Sequence, residues 1–418
     1  MHLAKSSSTT IAALALICCG AVWSQPVSSP DLTLKDRAYI AARTYSSVNI
    51  YFAHWAGVPH LSYETAAKSY MELALPLDQR RDFVLRTLEF LTLLRNGQTT
   101  LTDTWLTETH GQPLGFDLES RDGTWFVGAS LRPDLKPGDV IKAIDNEDTA
   151  VFCADKERFI PASSPREGRT RLQSMPYLFP QKFVLTLADG RKVTVDRSRK
   201  VSPPPVQMEA RWIEPGKIAY MKLPAFSTEL EQAALAKLKE FFESTNLILD
   251  LRGNASGPVP LALTKAVMTG PYRGWSEMSP MSVGIINSHA QFGATPQLFW
   301  TNRVGPPELP GKYLGQIIIL TDGRCSAACE DFIEPFKDSK RAILVGETTM
   351  GSSGEVFTVD FRNGIKVTVG TKREFFPDGS AFEGVGINPD FEVPLRIEDI
   401  RSGKDAALQK ARDIASGT

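Results

Sequence analysis

Gln316-Ile-Ile-Ile-Leu-Thr-Asp-Gly-Arg-Cys-Ser-Ala-Ala-Cys-Glu-Asp-Phe332 reads as a buried strand, a tight turn and the start of a helix. The aliphatic run shows no polar alternation, the pattern of a strand covered on both faces. Asp322-Gly-Arg324 turns the chain, and a helix is expected from about Cys325 to Phe336, with Cys325 to Ala328 in its first turn. Two similar strands flank this unit, Leu247-Ile-Leu-Asp-Leu251 before it and Ala342-Ile-Leu-Val345 after it. Lys217 to Leu223 reads as another strand, and a helix is expected around Glu229 to Glu243. Apolar strands alternating with helices predict a mainly parallel sheet with helices on its faces.

Upstream the texture changes. Pro203-Pro-Pro205 marks a linker, and from about Gly111 to Arg197 the chain reads as short strands and turns. Phe183-Val-Leu-Thr-Leu187 and Lys192-Val-Thr-Val195 flank Asp189-Gly190, a strong hairpin signal, and Asp122-Gly123 is a second turn. The region before residue 107 reads as helical. Thr33-Leu-Lys-Asp36 fits a capping box, and Asp78 opens a helix in which Phe83, Val84, Leu88, Leu91 and Leu94 recur at helical spacing, with Asn96-Gly97 as its stop.

The 418 residues are 42% hydrophobic and 23% charged, enough for two or three domains. A net charge of -1 without a block of like charges argues against a nucleic-acid partner. Lys5, the apolar run Ile11 to Val22 and Val22-Trp-Ser24 before Gln25-Pro26 describe a signal peptide cleaved after Ser24, hence a periplasmic or extracellular protein. Lipidation at Cys18 or Cys19 is the lesser reading, because bulky Ile17 precedes them. No other segment is long and apolar enough to span a bilayer. The remaining cysteines, Cys153, Cys325 and Cys329, are read as packing residues or a local disulfide. No metal-binding spacing or nucleotide loop is present, so neither metal nor cofactor is expected.

Two resemblances follow. Pro113-Leu-Gly-Phe116 followed by Leu135-Lys-Pro-Gly-Asp139 resembles a PDZ module, in which Leu114, Gly115 and Phe116 would offer backbone N–H groups to a peptide's terminal carboxylate. Leu249-Asp-Leu-Arg-Gly-Asn254, Cys329-Glu-Asp-Phe332, Val345-Gly-Glu-Thr-Thr349, Gly386-Ile-Asn-Pro-Asp390 and Asp405-Ala-Ala-Leu408 resemble the ordered blocks of the tail-specific (carboxyl-terminal processing) serine protease family. The resemblance implies an α/β protein with a spiral ββα core of the ClpP/crotonase type, a small PDZ-like β domain and an N-terminal helical region. The expected divisions are a signal peptide at 1–24, helical region at 25–107, PDZ-like domain at 108–200 and protease core at 206–412. It also implies a serine nucleophile at a helix N-terminus. The oxyanion hole would use the Ala328 N–H and an amide of the Gly253–Gly257 turn, with Gly257 the chosen candidate.

The reactive positions depart from that pattern. The family's serine lies three residues before the glutamate that Glu330 matches; here that residue is Ala327, with Ser326 one place earlier. One branch of the family uses a lysine where Ser352 and Ser353 stand. Another uses a histidine in an Asn-Gly-His-Thr setting, here Asn96-Gly-Gln-Thr99, with Gln98 in its place. An amide cannot accept a proton at neutral pH. His54, His60, His110 and His289 match no family base and read as structural or surface residues. Lys217, Lys222 and Lys372 stay open as substitutes. The expectation is an extracytoplasmic protein that binds protein or peptide C-termini with impaired or lost hydrolysis. The alternative is an active endopeptidase using Ser326 and an unidentified base, with another acyl-transfer role a distant third. Oligomeric state is not legible.

Overall fold

The computed structural model describes residues 31–198, 206–255, 257–280, 297–304 and 313–417, the backbone alone for 297–304. The signal peptide, Cys18, Cys19, the 203–205 linker and His289 lie outside the described residues. Among the described residues no helix is long and apolar enough to cross a membrane.

The first region holds helices α1 (Leu34–Tyr51), α2 (Tyr63–Ala74) and α3 (Arg80–Thr92), then strand β1 (Thr100–Asp103) and helix α4 (Thr104–His110). The capping box forms: Thr33 accepts from the Asp36 N–H, and Asp36 accepts in return from the Thr33 N–H. Helix α3 ends at Thr92 rather than at Asn96-Gly97, which instead starts the approach to β1. Hairpin β2 (Phe116–Arg121) and β3 (Thr124–Ser130) follows, turning at Asp122 and Gly123, both with positive φ. Strands β4 (Ile141–Ile144), β5 (Glu147–Asp148), β6 (Lys182–Leu187) and β7 (Lys192–Asp196) form one sheet, with helices α5 (Thr149–Glu157) and α6 (Pro165–Arg171) between. The hairpin predicted at Asp189-Gly190 joins β6 to β7.

The third region is built on β8 (Glu209–Glu214), β9 (Ile218–Lys222), helix α7 (Thr228–Glu240), β10 (Asn246–Asp250) and helix α8 (Leu261–Val267). It continues through β11 (Tyr272–Pro280), β12 (Gln297–Val304), β13 (Gln316–Thr321), helix α9 (Ala328–Asp338) and β14 (Ala342–Gly346). Strands β15 (Val356–Asp360), β16 (Ile365–Gly370), β17 (Arg373–Phe375) and β18 (Phe391–Glu392) and helices α10 (Ile397–Ser402) and α11 (Ala406–Ser416) complete it. The main sheet runs β18-β14-β13-β10-β9-β8, parallel except for β8. Strands β10 and β13 are buried along nearly their whole length, as their unbroken apolar runs require.

Two features position the site. Strand β1 pairs antiparallel with β16, Thr100 opposite Thr368, which draws residues 96–99 onto the third region. The helical and second regions also share one apolar core with Ile365, Val367 and Val369 of β16.

Candidate functional site

The turn between β13 and α9 departs from the sequence expectation. Helix α9 starts at Ala328, so Cys325, Ser326 and Ala327 lie before the helix and not in its first turn. Ala327 has φ 52° and ψ −125°, a left-handed conformation that no helical residue can hold and that strains an L side chain. Ser326 and Ala327 are therefore not related by a helical rotation; they occupy successive positions of a sharp strand-to-helix bend.

Asp322 shapes this bend. Its Oδ1 accepts from the N–H groups of Gly253 (3.0 Å), Arg324 (3.0 Å) and Cys325 (3.1 Å). One carboxylate thus holds the turn after β10 against the turn after β13. The two turns also meet directly, the Ser326 N–H donating to the Asn254 carbonyl at 3.2 Å. Gly253 is consequently unavailable as an oxyanion donor. The Ala328 and Gly257 N–H groups make no hydrogen bond among the described residues. Gly257 (φ 99°) must be glycine, since a Cβ there would fall 1.7 Å from the Phe226 carbonyl oxygen.

Glu330 is fully buried and accepts from the Thr349 hydroxyl (2.5 Å) and the N–H groups of Gly351 (2.7 Å) and Ser352 (3.0 Å). Burial pushes its carboxyl up to about 7, against the pull of these donors. By clamping residues 349–352, Glu330 fixes the Ser352 carbonyl, which takes the Ala327 N–H at 3.0 Å. Gln98 reaches the same place from the first region: its Nε2 donates, in long bonds, to the Ser352 carbonyl at 3.5 Å and hydroxyl at 3.4 Å. Gln98, more than two hundred residues upstream of Ala327 and Ser352, converges with Ala327 at one carbonyl.

Gln98 is held there by its neighbours. The Thr368 hydroxyl donates to its carbonyl at 2.8 Å, and Arg171 donates to the Gly97 carbonyl at 2.6 Å. Asn96 donates to Glu383 at 2.9 Å. A Cβ on Gly97 would meet Glu167 Oε1 at 2.0 Å and the Ser352 hydroxyl at 2.7 Å, so this approach also requires glycine. Arg166 ties the opposite side, donating to the carbonyls of Thr349, Met350 (3.2 Å) and Val385 (3.1 Å). Nothing in the sequence marked Arg166; Asp322 had only the weak signal of an aspartate opening a turn.

The other expected blocks explain themselves in bonds. Asp250 accepts twice from the Arg252 guanidinium (2.9 and 2.6 Å) and once from the Tyr220 hydroxyl (2.8 Å). Arg252 reaches on to Asp405, which caps α11 through the Leu408 N–H. Thr349 receives the Ile387 N–H at 2.8 Å, and Asp390 receives the Leu344 N–H at 2.8 Å.

Ser326 is 8% exposed, and its hydroxyl bonds to no histidine or lysine among the described residues. His54 is buried, donates from Nε2 to the Lys372 carbonyl at 3.0 Å, and is pushed down to about 4 by burial and by Arg373. His60 is exposed. Lys217 pairs with Glu214. Lys372 is half-buried in ion pairs; burial opposes its charge, but Glu374 and Glu277 (3.1 and 2.9 Å) hold its pKa above the ordinary lysine value. Lys222 lines a cleft of about 630 Å³ together with Asp322, Arg121 and Arg166. The three cysteines are free thiols; Cys325 and Cys329 both face the Leu251 carbonyl, at 3.1 and 3.9 Å.

Leu114 and Phe116 bury their side chains in the second region, and Gly115 has φ 81°. The next residues of β2 reach the site turn: Arg324 pairs with Asp117 at 3.2 Å and Glu119 at 3.5 Å. The Leu118 N–H donates to Gln173 Oε1 at 3.1 Å.

Comparison with known proteins places this geometry. The chain is 26% identical over 291 residues to the carboxyl-terminal-processing protease of Synechocystis, covering 68% of this chain and 61% of that protein. It is 25% identical over 383 residues to carboxyl-terminal-processing peptidase 2, chloroplastic, of Arabidopsis thaliana, covering 86% of this chain and 67% of the relative. The chain thus spans about two thirds or less of these relatives' length. The fold is similar to that of mature CPAF complexed with lactacystin (TM-score 0.68, 13% identity, 91% of this chain and 98% of the other). It is also similar to the photosystem II D1 C-terminal processing protease (TM-score 0.53, 18% identity, 90% and 99%). Residues 217–393, which contain the Asp250, Asp322 and Glu330 framework, match Peptidase family S41.

Proposed function

We propose that this chain is an extracytoplasmic member of the tail-specific peptidase group that binds protein or peptide C-termini and does not hydrolyse them. One observation carries the reading: Ala327 and Gln98 converge on the Ser352 carbonyl, where the family resemblance calls for a nucleophile and its base. The two positions adjoin as catalysis would need, yet one ends in a methyl and the other in an amide that cannot take a proton. Ser352, at the site of the alternative lysine, is equally unable to act as a base. Among the described residues no histidine or lysine bonds to Ser326 to activate it, and its neighbouring Ala327 occupies the strained position from which a nucleophile would project. The oxyanion donors proposed are the Ala328 and Gly257 amides, with Glu330 a positioning residue behind them. Tail capture is assigned to Leu114, Gly115 and Phe116, with Arg324 linking that hairpin to the turn.

Fluorophosphonate labelling of the purified protein tests this. The native chain is expected to stay unlabelled, and Ala327→Ser combined with Gln98→His to gain labelling. Native labelling that vanishes in Ser326→Ala would overturn the proposal and establish a working hydrolase with a shifted nucleophile.

A further inference from the structure

A second feature lies away from this site, where the helical region meets the end of β7. Arg197 is 3% exposed and forms no ion pair among the described residues. Its Nε donates to the Gln112 carbonyl (2.8 Å), Nη1 to those of Phe179 (2.8 Å) and Pro180 (3.1 Å), and Nη2 to that of His110 (2.6 Å). A guanidinium has five N–H donors, so one remains on Nη2. Burial alone pushes this group down to about 10.

Beside it opens a recess of about 180 Å³ whose basic lining residues are Arg81, His110 and Arg197, with Thr109, Gln112 and Gln181 among its polar ones. Among the described residues no aspartate or glutamate lines it. Arg81, in the first turn of α3, forms no ion pair among the described residues. His110 is held below its ordinary pKa by burial and by the charges of Arg81 and Arg197. Tyr177, Phe179 and Pro180 supply an apolar wall. Tying four carbonyls together accounts for Arg197 but not for Arg81 and His110 at the same opening. The Arg81 and Arg197 guanidiniums, gathered around a small, partly desolvated space, repel each other unless an anion joins them.

We propose that this recess binds a small oxyanion of the sulfate or phosphate type, held by Arg81, His110 and the remaining Arg197 N–H. Such an ion would neutralise the buried guanidinium and lock α3, the end of α4 and β7 together. This inference is independent of whether the chain hydrolyses peptides.

The test is isothermal titration of the purified protein with sodium sulfate and, separately, inorganic phosphate, at ionic strength matched with sodium chloride. Saturable binding at low-millimolar concentration or tighter is expected, weakened about fivefold or more by Arg81→Ala and by His110→Ala. Arg81→Lys should recover part of the loss. Because Arg81 is exposed and His110 is only half-buried, these variants are expected to fold, which circular dichroism verifies. Absence of saturable binding, or binding unchanged in both alanine variants, would overturn the proposal.

Discussion

Asp322 and Glu330, behind the site turn, each accept three well-formed hydrogen bonds, whereas Ala327 and Gln98, in front of it, meet Ser352 through one backbone bond and two long amide contacts. The dense side works almost wholly through backbone N–H groups, which are the same whatever side chain stands at 327. The sparse side is where side-chain identity would decide chemistry. The difference teaches that the shape of the turn and its reactivity are physically separable. The side chains at 327 and 98 can change while the backbone bonds that bend the chain persist.

The sharpest way to break this comparison is Asp322→Ala. It removes a charged acceptor and leaves three partly buried N–H groups without it, so it should cost about 2–4 kcal/mol in urea-induced unfolding. A loss below about 1 kcal/mol would mean that the framework is not what holds the turn.

Glu334, one helical turn beyond Glu330, sharpens it from the other side. It is 1% exposed and neither carboxylate oxygen has a partner among the described residues. Burial pushes it up to about 9 and Glu330 up to about 7, from 4.5. The folded chain therefore retains protons that the unfolded chain releases. Stability from the neutral forms is complete below about 4.5 and is lost as pH rises towards 7 and 9. Glu334→Met should stabilise the protein by about 2 kcal/mol near pH 8 and flatten the fall of Tm on the alkaline side. A steeper fall in the variant would contradict the assignment.

Ala327→Gly relieves a positive φ and should stabilise by about 1 kcal/mol, read as a shift in the denaturation midpoint with unchanged slope. Destabilisation would argue that the bend is not strained. The smallest effect belongs to Gln98→Ala, expected within about 0.5 kcal/mol because its contacts are long and half-exposed. A large loss would make Gln98 part of the framework.

The ordering of strands and helices around Leu247–Leu251, Gln316–Leu320 and Ala342–Val345 was legible in the sequence because their periodicity and apolar runs are local properties. So was the suspicion attached to Ala327 and Gln98, since residue type alone decides whether a group can attack or take a proton. The start of α9 was not legible. Four small or polar residues are all compatible with a first helical turn, and only the bonds from Asp322, Asn254 and Ser352 force Ala327 out of helical conformation. Nor was the placement of Gln98, which depends on β1 crossing the chain to pair with β16. Arg166, Glu383 and the Arg81–His110–Arg197 recess likewise arise from segments far apart in the chain. The sequence by itself determined which elements form and which side chains are chemically able to react. The tertiary structure alone decided which of them meet, because long-range hydrogen bonds and burial are set by contacts that no local pattern encodes.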